Sequence, residues 1–153
     1  MTTKGDYKTY LNQLENLLHE YLVKKAPALP ENIKEVIVKF APWAMVVIFI
    51  VTLPAVLTVF GLSALLSPFS FLLGGVTVGT NFIITLIFSG IQLVLEAMAI
   101  PGLFKRERKA WNLVYYAALV GGVQNIATFS LGSLLIGTLL SLYILFQVRE
   151  YYK

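Results

Sequence analysis

The sequence has no cysteine and a single histidine, His19. A disulfide framework is therefore excluded, and one chain cannot assemble a His/Cys metal centre or bis-histidine haem ligation. Charge is scarce as well: Asp, Glu, Lys and Arg supply 13% of the 153 residues, where a soluble domain carries roughly 25%. No phosphate-binding G-x-x-x-x-G-K-[ST] loop and no G-x-G-x-x-G is present. The apolar stretches contain neither a Ser-His-acid or Cys-His set nor a pair of carboxylates. These absences point away from an enzyme and from any bound cofactor or metal.

What fills the chain instead is apolar. Hydrophobic residues make up 58% of it and the mean hydropathy is +0.77. A domain of this size buries only about 70% of the surface of its unfolded chain, so the excess must face lipid. The charges are segregated accordingly. Residues 1–39 hold six lysines against five acids, and from Phe40 to Phe104 the one charge is Glu96. Lys105-Arg106-Glu107-Arg108-Lys109 follows, residues 110–148 are uncharged, and Arg149, Glu150 and Lys153 close the chain.

A helix needs about 20 apolar residues to cross a bilayer. The expected fold is therefore an all-α membrane protein. Residues 1–41 form amphipathic and interfacial helices on the cytoplasmic side, and residues 42–153 form a four-helix transmembrane bundle. Its spans are about 42–61, 81–103, 111–128 and 131–148. Between the first two, residues 62–80 are apolar but interrupted by Pro68, Gly74, Gly75 and Gly79, which predicts a broken or re-entrant element. The alternative is a fifth crossing. Basic residues in short loops stay cytoplasmic, and four crossings put the N-terminal lysines, the 105–109 cluster and the C-terminus on one face. The expected location is the inner (plasma) membrane, multi-pass, with both termini cytoplasmic. The first 28 residues lack a signal-peptide apolar region, so the first span is expected to serve as an uncleaved insertion signal.

Tyr7, Leu11, Leu14, Leu18 and Tyr21 recur at helical spacing, and Tyr10, Leu17 and Leu22 widen the stripe, while Lys8, Asn12, Glu15 and His19 lie toward the other side. This is the period of a half-buried helix over 6–25, lying on the bilayer surface or on the bundle. Pro27 and Pro30 break it. Trp43, Trp111, Tyr115, Tyr116, Tyr151 and Tyr152 flank the spans as an aromatic belt would.

Three constellations stand out. Asn81, Thr85, Ser89, Gln92 and Glu96 follow one another at helical spacing and fall within about 80° of arc, a polar stripe expected to avoid lipid. Glu96 lies nine residues before Lys105, or roughly 13 Å inward. It is read either as a proton- or cation-handling group in a permeation path or as a helix–helix hydrogen-bonding group. A third possibility is that it snorkels to the interface. Ala117, Gly121 and Asn125, then Ser133, Gly137 and Ser141, recur every fourth residue on the last two spans. Small residues at this spacing let helix backbones approach closely, here as an antiparallel hairpin or an oligomer contact. Lys105, Arg106, Arg108 and Lys109 form a topology anchor suited to anionic headgroups. The cluster is too short for a nucleic-acid surface.

The stretch GLFKRERKAWNLVYY, Gly102 to Tyr116, resembles a linker of small uncharacterised bacterial multi-span membrane proteins, which place a basic cluster and then a Trp between two spans. The resemblance implies a bacterial membrane protein and carries over no functional residue. Two functions are expected from the whole sequence. One is a non-catalytic accessory or scaffold protein assembling with itself or a larger membrane complex. The other is a small-solute or ion permeation protein using the polar stripe. A third role, lipid sensing by residues 6–25, follows from the amphipathic helix alone.

Overall fold

The computed structural model describes residues 6–153. These are almost wholly helical, with no strand among them. Helix α1 (Asp6–His19) continues into a π-helical turn, Glu20–Lys25. After Pro27 and Pro30, α2 runs over Glu31–Phe104. Helix α3 covers Arg108–Ala127. The last helix, α4 (Leu131–Gln147), contains a π-helical stretch at Leu134–Leu139.

Two segments, Glu31–Leu62 and Leu72–Phe104, are long and apolar enough to cross a membrane, and Leu131–Gln147 is a shorter apolar helix. Both long segments belong to α2, which is not one rod. Gly75 sits at φ 69°, ψ −175° inside it, a backbone conformation that favours glycine. Its neighbour Gly74 has no room for a side chain, because a Cβ there would stand 2.5 Å from that of Val78. At this break the chain reverses. Phe60 closes to 3.0 Å of the Cβ position of Gly90, and Trp43 meets Phe104 edge to face at 5.3 Å. Each such pair is centred within two residues of Gly75, so α2 is an antiparallel hairpin with arms 31–74 and 76–104.

The sequence reading made 62–80 a broken or re-entrant element between spans 42–61 and 81–103. The structure breaks it at Gly75 alone. Residues on either side extend the two arms, leaving no separate helix for a fifth crossing. The first arm also runs through the expected domain boundary at 41: it begins at Glu31, and Val38 lies in the main core. Helices α3 and α4 form a second antiparallel hairpin, joined by a turn in which Ser130 N–H donates to Asn125 O at 2.8 Å.

The core lies at the end of the molecule that carries the 105–109 loop. Val38, Ala99, Leu103, Ala110, Trp111, Tyr115, Leu142, Phe146, Val148 and Tyr152 are all buried there. Trp111, at 0% exposed, stacks on Tyr115 at 5.4 Å and meets Phe146 edge to face at 5.3 Å. Its indole N–H donates to Leu145 O at 2.9 Å. Sequence position suggested a Trp in the lipid interface, but Trp111 is instead the centre of a packed aromatic cluster. Trp43 is the indole left exposed.

Helix α1 docks on this end, and with its expected faces partly exchanged. Leu18, Leu22 and Val23 pack on the core, but so do residues assigned to the wet side. The His19 ring lies 6.4 Å from that of Phe146. Glu15 accepts from the guanidinium groups of Arg149 and, at 3.4 Å, Arg108. Meanwhile Tyr7, Tyr10, Leu14, Leu17 and Tyr21 are exposed. Two half-buried arginine contacts outweigh the apolar stripe, because an uncompensated charge against the core costs more than an exposed Leu. Gln147, buried, ties the following strap down. Its side chain donates to Leu22 O at 2.8 Å and accepts from Leu29 N–H at 3.2 Å.

Candidate functional site

Glu96 and Gln92 lie on the second arm of α2, facing α3 and α4. Together with Met45, Val114, Ala117, Ala118, Gly121, Asn125, Ser133, Gly137, Thr138 and Ser141 they line a cavity of about 370 Å³ between the two hairpins. A smaller cavity of about 110 Å³, between the arms of α2, is lined by Thr52, Val56, Ser89, Gln92, Leu93 and Glu96. Gln92 and Glu96 thus border both spaces.

The sequence places each wall for a local reason. One helical face carries the polar residues of the second arm, and small residues on α3 and α4 leave the room. Gly121 is the clearest case: a Cβ there would stand 2.5 Å from the Gln92 amide nitrogen. That close approach lets Gln92 donate to Ala117 O at 3.2 Å. Across the cavity the Asn125 amide donates to Thr138 Oγ1 at 3.2 Å. Among the described residues, the Glu96 carboxylate, the Gln92 carbonyl oxygen and the Asn125 carbonyl oxygen have no hydrogen-bond or ion-pair partner.

Toward the 105–109 loop the cavity has a floor. Beyond the lining residues Glu96, Val114 and Ser141 on that side lie Ala99, Trp111 and Phe146, all buried. The cavity begins at Glu96, roughly 13 Å above the loop, and Asn125 lies roughly 25 Å up α3. It therefore occupies the middle depth of the helices.

The other residues singled out from sequence separate. Thr85 and Ser89 face the first arm, in an apolar cleft of about 190 Å³ with Ala55, Val56, Phe60, Phe82 and Leu86. Asn81 is half-buried and borders none of these spaces. Ser133, Gly137 and Ser141 do not make the hairpin contact that their spacing suggested. They are exposed, and a Cβ on Gly137 would meet nothing within 4 Å. The contact falls one position over, at Gly122, whose Cβ position lies 3.0 Å from Thr138 Cγ2. The cause is the π-helical stretch of α4. Its wider turn rotates the faces relative to a regular α-helix, so the four-residue stripe lines the cavity. Met45, Val114, Ala118 and Thr138 are the cavity residues that no sequence pattern singled out.

Of the basic cluster, Lys105, Arg106 and Lys109 are exposed, but Arg108 is occupied within the protein. Its guanidinium lies 4.3 Å over the Trp111 ring and donates to Arg149 O at 3.3 Å. Burial and the charge of Arg149 pull its pKa below the usual guanidinium value, opposed by Glu15. The backbone here is braced by the C-terminus: Arg108 N–H donates to Lys153 O at 2.8 Å, and Lys153 N–H to Arg106 O at 3.0 Å.

No family model matches this sequence, and no curated protein or solved structure is similar to it. The site must be read from its own chemistry. Among the described residues no three Asp, Glu or His side chains come together as a metal site would need. A single carboxylate with uncharged acceptors in an apolar protein suits reversible binding of a small polar solute.

Proposed function

We propose that this chain is a multi-pass integral membrane protein that binds a small polar solute between its two hairpins and passes it across the bilayer, without catalysis. In this reading all four helical arms cross, the 105–109 loop and both ends face the cytoplasm, and α1 lies at that surface. The positive-inside distribution of Lys and Arg supports the orientation. The likeness of the 102–116 linker to bacterial multi-span proteins fits it.

One observation carries the reading: the single charge between Phe40 and Phe104, Glu96, borders a cavity at mid-depth rather than a close helix contact. Ionisable groups inside a membrane are costly and mark substrate pathways. The floor formed by Ala99, Trp111 and Phe146 makes this a binding site closed on one side, so passage requires the hairpins to part there. Uptake of a small polar solute into proteoliposomes, glycerol or guanidinium, tests the proposal, with Gly137→Phe as the blocking variant, since the space beside Gly137 is open. Uptake above that of protein-free vesicles, abolished by Gly137→Phe, is expected. Uptake no faster than through protein-free vesicles would contradict the proposal.

A second reading, an accessory subunit assembling with itself or with another membrane protein, is favoured by the outward tyrosines and leucines of α1 and by the bare apolar tip of the first hairpin. Native mass spectrometry in mild detergent tests it, and a lone monomer would count against it.

A further inference from the structure

We infer that the cavity between the hairpins selects a cationic solute, one bearing an ammonium or guanidinium group, and that Glu96 is the residue that binds its charge. The inference rests on the solute-binding reading above and adds the chemical class.

The argument is one of donors and acceptors. Each amide at the cavity has committed an N–H inward, Gln92 to Ala117 O and Asn125 to Thr138 Oγ1. Both carbonyl oxygens are left without a protein partner, as is the Glu96 carboxylate. Ser133 and Ser141 add hydroxyls, which accept as readily as they donate. The lining of the two cavities that share Glu96 includes no Lys, Arg or His. An anion would find no positive group and would face a carboxylate. A neutral polyol would leave that carboxylate without a countercharge, and an unpaired charge set among apolar helices is costly. A cation with several N–H donors satisfies the carboxylate and the free carbonyl oxygens together, and such charge-assisted bonds are the strong ones. The volume, about 370 Å³, accommodates a small organic cation.

Uptake of radiolabelled guanidinium, chloride and glycerol into proteoliposomes tests this, with Glu96→Gln and Glu96→Asp beside the native chain. Expected is guanidinium uptake well above that of chloride. Glu96→Gln should lower it about tenfold or more, the loss of one charge-assisted hydrogen bond. Glu96→Asp should keep the cation preference. Unchanged circular dichroism and elution from size exclusion establish that Glu96→Gln is folded. Chloride taken up as fast as guanidinium, or guanidinium uptake indifferent to Glu96→Gln, would overturn the inference while leaving the solute-binding reading in place. No uptake of any of the three would overturn both.

Discussion

The two ends of the first hairpin are built from the same kinds of residue and treated in opposite ways. At the loop end, Val38, Ala99 and Leu103 disappear into a core with Trp111, Tyr115 and Phe146. At the tip, Leu72, Leu73 and Val76 are 78%, 88% and 76% exposed. Helix length explains part of the difference. The second arm, 76–104, measures roughly 43 Å, against about 30 Å for α3, so the tip outruns its neighbours by roughly 13 Å. Among the described residues, no other helix covers Leu72, Leu73 and Val76. The loop end gathers two hairpins, α1 and the C-terminal tail, and it holds the polar contacts that define one arrangement: Glu15 with Arg108 and Arg149, Gln147 with Leu22 and Leu29. Apolar burial between protein elements is concentrated at the loop end, and the tip leaves its apolar side chains uncovered by the other helices.

That contrast can be broken first at the core. Trp111→Ala removes the side chain on which Tyr115, Phe146 and Arg108 converge and leaves a large void, at a cost of about 3–5 kcal/mol. The whole molecule should lose stability, seen as a clear fall in thermal midpoint in dodecyl maltoside. A midpoint close to that of the native chain would mean the loop-end core is not what holds the hairpins together. Gly75→Val probes the other end. A β-branched residue at φ 69° costs about 1–3 kcal/mol, but the strain is local and remote from the core. Faster backbone hydrogen exchange over 70–80, with slow exchange retained around Trp111, is the expected pattern. A smaller effect is expected for Glu15→Ala, which leaves Arg108 and Arg149 facing each other without their shared acceptor. The loss is about 1–2 kcal/mol, and it should free α1 for protease cleavage while the hairpins stay folded. Resistance equal to that of the native chain would show that the apolar contacts of Leu18, Leu22 and Val23 suffice.

Much of this was legible in the sequence, and the unread part has identifiable causes. Composition and charge spacing give the apolar arms, and the Pro27–Pro30 break and the cluster at Gly74-Gly75 mark interruptions. A glycine pair tells of a break but not of a reversal; that depends on Phe60, Trp43 and Phe104 meeting partners far along the chain. The polar stripe put Gln92 and Glu96 on one face, yet a single helix cannot show that only this end of the stripe reaches the space between the hairpins while Asn81 does not. The stripe of Ser133, Gly137 and Ser141 was read with a regular helical period, which the π-helical turn at Leu134–Leu139 displaces. For α1, hydrophobic spacing pointed to one buried face, and the pull of Arg108 and Arg149 on Glu15, residues about a hundred positions away, selected another.

The absence of cysteine makes the central claim, two hairpins crossing with one shared face, directly testable by labelling single cysteines with a maleimide that cannot pass the bilayer. Reporters at Lys8, Lys109 and Lys153 should all react from the cytoplasmic side, and reporters at Leu73 and Ser130 only from the opposite side. Labelling of Leu73 and Lys109 from the same compartment, or of Lys8 and Lys153 from different ones, would contradict the account.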